Sequence, residues 1–348
     1  MQNPRATVKV HSPGGSTKTS KFSGDTGNQM SKTFHSYINN FQCVTPDLLY
    51  GEFEKYFRTP FTTEQASIYF IVKLPSVRWD LATFKVRGNF QISADVLVCG
   101  KQRVPVTVDM AQWWFTMPVL QEKFQSKHHM AEYFMRRTKG WCQWFPGEWK
   151  YRIKTQLKGT ATSRRMAVDC ELMRNMNEDR RADMSITPYQ AINAGSSFSC
   201  DLEVVYIGSS VTNPFDRLLK HEKLARIQAE KRDDEDILIY FMETETGLLE
   251  QYELPGVAVI ANLSHGLSRE DETLLAEMML INHFKPCYNE KHVERHIRHS
   301  DRVKRTLIAN GYSKTVAEVI LDGPLGRIGS VATSKYGDHS VTLHLVPN

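Results

Sequence analysis

Cysteine is scarce in this chain, with six among 348 residues and no pair spaced Cys-x-x-Cys. That excludes a disulfide framework and a zinc ribbon, and a reducing, cytoplasmic setting is the natural expectation. Long hydrophobic runs are missing too. No apolar stretch approaches twenty residues, which excludes a membrane-spanning helix, and none near Met1 resembles a secretory signal. Repeats of solenoid length are absent. A strong charge bias is also lacking, because a net +5 is weak evidence for a polyanionic partner when taken over the whole chain. What is present is 41% hydrophobic residues, enough to build cores, over a length that predicts two compact units with flexible ends.

The placement of charge says more than its sum. Between Arg136 and Arg165 stand nine cations (Arg136, Arg137, Lys139, Lys150, Arg152, Lys154, Lys158, Arg164, Arg165) against one acid, Glu148. Trp141, Trp144, Phe145, Trp149 and Tyr151 are interleaved with them. Cations attract phosphates without regard to sequence, and aromatic faces stack on bases, so the segment is a candidate nucleic-acid surface. A hydrophobic hairpin with a solvated basic rim explains the same residues. A second basic block, Lys291 to Arg305, holds Lys291, Arg295 and Arg298 between His292, His296 and His299. Three imidazoles at helical spacing would suit zinc, but the interleaved cations favour a helix that tracks phosphates.

Residues 1–34 are rich in Ser, Thr, Gly and Lys and read as a disordered tail. Gly14 to Lys18 lacks phosphate-loop spacing. Residues 35–180 read as a mixed α/β substrate-recognition or regulatory unit. Alternating residues predict strands at Ser67 to Leu74 and Phe84 to Val98, and a helix is expected over Ala111 to Arg137. The polar run Met173 to Asp183 marks a boundary before a unit at 181–290. That unit reads as strands at Tyr189 to Ile192 and Leu202 to Ile207, a helix from Asn213 to Glu230, and strands at Ile237 to Glu243 and Val257 to Ala261. Ser268 with Asp271 caps a further helix that runs to Phe284. Residues 291–348 read as a basic extension with an Asn310-Gly311 turn, a short helix and a terminal hairpin. Asp233 to Asp236 lack cation-ligand spacing and read as a solvated turn.

Chemistry-bearing residues gather in the third unit. Tyr206-Ile207-Gly208 ends a strand, and Arg217 and His221 follow four residues apart, on one face of the expected helix. Downstream, Glu277 shares a helical stripe with Leu280, Ile281 and Phe284. An unpaired carboxylate on an apolar stripe is costly, so it either meets a cation or points into a cleft. Pro286 stops that helix and Asn289 lies just beyond.

These residues in this order, VVYIGSS…FDRLLKH from Val204 to His221 and then EMMLINHFKPCYN from Glu277 to Asn289, resemble the GIY-YIG nuclease superfamily, in particular its restriction-endonuclease-like members. The resemblance spans roughly residues 186–289. It implies an α+β fold: a C-terminal domain with a small three-stranded antiparallel sheet flanked by helices, beside a separate mixed N-terminal domain. Where the family has Gly-Ile-Tyr, this chain offers Thr187-Pro188-Tyr189, at a longer interval from Tyr206 than usual. The implied activity is metal-dependent hydrolysis of DNA to a 5′-phosphate and a 3′-hydroxyl, in restriction or defence against foreign DNA. Under the resemblance Glu277 would hold Mg²⁺ (or Mn²⁺), and Arg217 would hold a phosphate oxygen. Tyr189 would activate the water, with Tyr206 and His221 orienting it or relaying its proton. Asn289 would tie the post-helix segment to the sheet or sit beside the metal, and Gly208 would let the backbone approach substrate. A homodimer fits a double-strand break, since one site cuts one strand. The rival readings are a mobile-element or repair nuclease and a nucleic-acid-binding protein that keeps the fold without cutting.

Overall fold

Nonlocal strand pairing dominates this molecule, and it decides where the candidate site residues sit. The computed structural model describes residues 32–50, 54, 58–87, 91–115, 118–135, 141–145, 148–153, 157–162, 166–170, 186–196, 198, 200–251, 258–261, 266–289, 293–321 and 326–345. In chain order the first elements are β1 (Lys32–Val44), β2 (Ile68–Pro75), β3 (Val77–Arg87), β4 (Gln91–Val98) and β5 (Gln102–Asp109). Helices α1 (Met110–Trp114), α2 (Pro118–Lys123) and α3 (Lys127–Met135) lead to β6 (Trp141–Phe145), β7 (Glu148–Ile153), β8 (Leu157–Ala161) and β9 (Met166–Cys170). There follow α4 (Pro188–Gly195), β10 (Asp201–Ser209), α5 (Pro214–Leu219), α6 (Glu222–Ala229), β11 (Glu235–Gln251) and β12 (Ala258–Ala261). The chain continues through α7 (Arg269–Phe284), α8 (Val293–Ala309), β13 (Tyr312–Ile320), β14 (Arg327–Gly329) and β15 (Asp338–His344).

One mixed sheet of eight strands runs β14-β10-β2-β11-β1-β13-β15, with β12 pairing β11 off that path. Its two edges meet. Ile328 in β14 bridges Tyr336, just before β15, and His339 Nε2 donates to the Ile328 carbonyl at 2.8 Å. The sheet therefore curls almost into a barrel, and α7 occupies the inside of the curl, packing on β10, β11, β13 and β15. That explains why α7 is buried nearly all round, from Asp271 and Thr273 through Leu280 to Phe284. Helix α8 closes over it through Val303 and Leu307, with an Arg302–Asp271 ion pair between the two helices. The opposite face of β2, β10 and β11 carries a second apolar cluster, in which Ile71, Val205, Ile239 and Phe241 pack against Phe215 and Leu218 of α5 and Leu224 and Ile227 of α6.

This arrangement corrects the expected fold class. The sheet is neither small nor confined to a C-terminal domain, because β1 and β2 from the first quarter of the chain lie inside it, flanked by β10, β11 and β13. Residues 76–200 leave the sheet after β2 and return to it at β10. They carry the three-stranded β3-β4-β5 sheet and the four-stranded β6-β7-β8-β9 sheet. In β4 alternate residues are buried, as in a sheet with one face on a core, and α4 packs on β5 and β3.

Several local expectations also change. Tyr189 to Ile192 is helix, not strand: Thr187 and Gln190 form a reciprocal capping box, and Pro188 pre-sets the first helical position. The expected short helix after Gly311 is strand β13, whose buried Val316, Ala317 and Val319 lie between β1 and β15. The expected helix over Ala111 to Arg137 is three short ones. No described helix is long and apolar enough to cross a membrane.

Candidate active site

The site forms where β10 and β2 lie antiparallel. A bulge at Val205 changes the parity of β10: Val204 pairs Val72 on the α7 side, whereas Tyr206 pairs Ile71 on the α5–α6 side. Without the extra residue Tyr206 would face α7, because side chains alternate along a strand. With it, Tyr206 lies beside Tyr69, their rings tilted with centroids 6.1 Å apart. Gly208 is directly opposite Tyr69. A Cβ there would stand 2.5 Å from Tyr69 Cζ and 2.9 Å from Tyr206 Cε1, so only glycine leaves room for both rings. Gly208 thus makes space for a tyrosine pair, a different reason from the substrate approach expected of it.

Arg217 and His221 do not share one continuous helix. The chain breaks after α5, and His221 is the N-cap of α6, its Nδ1 accepting the Lys223 N–H at 3.2 Å. That leaves the ring proton on Nε2, which lies 3.1 Å from the Tyr206 hydroxyl and donates to its oxygen. Arg217 is exposed on α5 with no ion-pair partner among the described residues, whereas neighbouring Arg58 is tied to Glu54 and Asp216. Glu277 reaches the same strand end from inside the curl, 5% exposed, where Ser209 Oγ donates to its Oε2 at 2.7 Å. Asn289 forms a two-pronged clamp on β10, accepting from Ile207 N at 2.9 Å and donating to Ile207 O at 2.7 Å. Tying the segment after α7 to the sheet is therefore its role here.

Electrostatics link these groups. Burial, and next the Glu277 charge, push the Tyr206 phenol up to about 12, while Arg217 pulls it down. Tyr69 is fully buried and its phenol is also raised well above its ordinary value, chiefly by burial, and the charges that reach it include Arg217 and Glu277. Its hydroxyl approaches Tyr206 closely enough for weak attraction, but it makes no hydrogen bond of ordinary length and angle. A buried hydroxyl without a partner costs about 1–3 kcal/mol.

Of the six residues read from the sequence as catalytic, Tyr206, Arg217 and His221 stand on the α5–α6 side of the end of β10, Glu277 meets the same strand end from the α7 side, Asn289 clamps Ile207, and Tyr189 lies apart from them. Tyr189 is buried on α4, on the α7 side of the sheet, hydrogen-bonded to Tyr240 and driven upward in pKa by burial. Tyr69, which the sequence did not single out, stands beside Tyr206 at this strand end. Among the described residues no group of three or more His, Cys, Asp and Glu side chains could hold a metal. A single buried carboxylate suits a cation that keeps most of its water and takes substrate oxygens, which is the habit of Mg²⁺.

Of the expected phosphate contacts, Arg136, Arg137, Lys139, Lys154, Arg164, Arg165 and Lys291 lie outside the described residues. Lys150 and Arg152 stand in β7 and Lys158 in β8, where Arg152 and Lys158 are cross-strand partners. Strands β6 and β7 form the hairpin, with Trp144 opposite Trp149. Arg295 and Arg298 stand in α8. Compared with protein-family models, curated proteins and solved structures, this chain matches none of them.

Proposed function

We propose that this protein is a metal-dependent DNA endonuclease of GIY-YIG type, cutting phosphodiesters to a 5′-phosphate and a 3′-hydroxyl. The observation that carries the reading is the orphaned Tyr69 hydroxyl, set beside Tyr206 and within reach of the charges of Arg217 and Glu277. Ser67-Ile68-Tyr69 lies antiparallel to Tyr206-Ile207-Gly208, with β11 on the other side of β2. That supports assigning the family's first tyrosine to Tyr69 in place of Tyr189.

The chemistry follows from the groups. Arg217, exposed and without an ion-pair partner among the described residues, holds a non-bridging phosphate oxygen through its guanidinium fork. Tyr69 and Tyr206 together take the proton of the attacking water, and two such close hydroxyls titrate as a pair. The pair must first ionise, which burial and Glu277 oppose. His221 Nε2–H donates into it and Arg217 favours the phenolate. A Mg²⁺ or Mn²⁺ held by Glu277 would offset charge on the phosphate and leaving oxygen and relieve the carboxylate's opposition to ionising the tyrosines. Supercoiled plasmid with Mg²⁺ tests the reading: the wild type should nick or linearise it, and Glu277→Ala and Arg217→Ala should each lose about 10²–10³ in kcat. A wild-type protein that binds DNA yet never nicks it under any divalent metal removes the enzyme reading.

A further inference from the structure

The geometry points to Ser209 as the positioning residue that sets where the Glu277 carboxylate presents itself, an inference that rests on the proposed function. Ser209 is the last residue of β10, 4% exposed, and it pairs Ile68 across the sheet. The same bulge that turns Tyr206 toward α5 and α6 turns Ser209 the other way, toward α7. One strand end therefore presents its tyrosine to one face and its hydroxyl to the other. Ser209 Oγ–H reaches Glu277 Oε2 at 2.7 Å, a short, charge-assisted bond between two buried side chains.

A glutamate has three side-chain torsions, and its helix fixes none of them beyond the first. Fixing a carboxylate oxygen to a residue two positions after Ile207, itself gripped by Asn289, ties Glu277 to the strand that carries Tyr206. Partners of this kind, one step behind a metal ligand, typically govern metal affinity by about 10- to 100-fold.

The test compares wild type, Ser209→Ala, Ser209→Thr and Glu277→Gln. Mn²⁺ binding to the DNA-free protein is read by calorimetry, the Mg²⁺ dependence by plasmid cleavage, and the folded state by thermal midpoint. We expect Ser209→Ala to weaken Mn²⁺ binding and raise the half-saturating Mg²⁺ by about 10-fold or more. DNA affinity should stay unchanged, and Ser209→Thr, which keeps the hydroxyl, should bind nearly as wild type does. Unchanged metal dependence in Ser209→Ala overturns the inference, as does a loss that threonine fails to restore in a folded protein. If the wild type takes up Mn²⁺ through Glu277 and Ser209 yet cuts no DNA, the nuclease reading falls and this inference stands. If Glu277→Gln leaves Mn²⁺ uptake intact, the inference falls whatever the cleavage result.

Discussion

A tyrosine pair lies against each face of strands β2, β10 and β11, and the two pairs differ in what surrounds them. Tyr69 and Tyr206 look toward α5 and α6; Tyr189 and Tyr240 meet on the α7 side. Each pair has a glycine pressed against it: Gly208 opposite Tyr69, and Gly326 against Tyr189, where a Cβ would lie 2.2 Å from the hydroxyl. All four phenols are pushed upward in pKa, burial being the largest cause each time. The neighbours differ. Tyr189 and Tyr240 bond each other, with the Cys43 thiol alongside. Tyr69 and Tyr206 have an imidazole donor, an arginine and a carboxylate around them, and one hydroxyl without a proper partner. A raised phenol pKa therefore does not tell the two pairs apart, because both have it. Oppositely charged neighbours and an unmet hydrogen bond set the Tyr69–Tyr206 pair apart.

The sharpest way to break that contrast is to remove one hydroxyl from each pair. Tyr206→Phe and Tyr69→Phe should each lower the plasmid-cleavage kcat by about 10²–10⁴, the usual worth of a positioned acid or base. Tyr189→Phe should leave kcat near the wild-type value and cost about 0.5–1.5 kcal/mol of stability in urea unfolding, since it removes the Tyr189–Tyr240 hydrogen bond. Should Tyr189→Phe stop cleavage in a folded protein while Tyr69→Phe does not, the assignment of the two faces is reversed.

The two glycines give a smaller contrast. Gly208→Ala must push Tyr69 or Tyr206 aside, so both stability and kcat should fall, the former by about 1–3 kcal/mol. Gly326 has φ of +85°, so Gly326→Ala adds backbone strain to its clash. It should destabilise at least as much, yet leave kcat per folded molecule unchanged. Equal effects on kcat would show that the Tyr69 environment is no more functional than the other.

How much of this was legible beforehand follows the range of the interactions. The α7 start at Ser268, with its Asp271 N–H partner, and its end at Phe284 were readable because caps are local. Tyr206, Arg217, His221, Glu277 and Asn289 were singled out from the sequence, and each lies near the end of β10. Tyr189 was misread although the local signal was present: Thr187-x-x-Gln190 with Pro188 between them is a helix start. Tyr69 was out of reach for a different reason. Its partnership with Gly208 is a strand pairing across residues 76–200, and one chain read alone has no periodicity that reports such a pairing. The near-closure of the sheet was hidden likewise, because Ile328 and Tyr336 join edges whose neighbours, β10 and β13, come from different parts of the chain.

The smallest effect concerns the seam where those edges meet, on the packing side of the comparison. His339 Nε2 donates to Ile328 O, so its Nδ1 carries a lone pair, and His283 Nε2–H of α7 donates to it at 3.1 Å. Burial, and then His339, lower the His283 pKa from its ordinary 6.5. The unfolded chain therefore binds a proton at His283 before the folded one does. Stability from this group is whole above about pH 6.5, falls as pH drops through the folded pKa, and stops falling below it. The thermal midpoint of wild type should thus decline more steeply between pH 6.5 and 5 than that of His283→Gln. Carboxylates titrate in the same window in both proteins, so the difference between the two curves is the quantity to read. Coincident slopes would show that the imidazole pair carries no pH-dependent stability. Cleavage by His283→Gln at pH 8 should match wild type, because the seam acts on the closure of the sheet and not on the tyrosine pair beside Arg217.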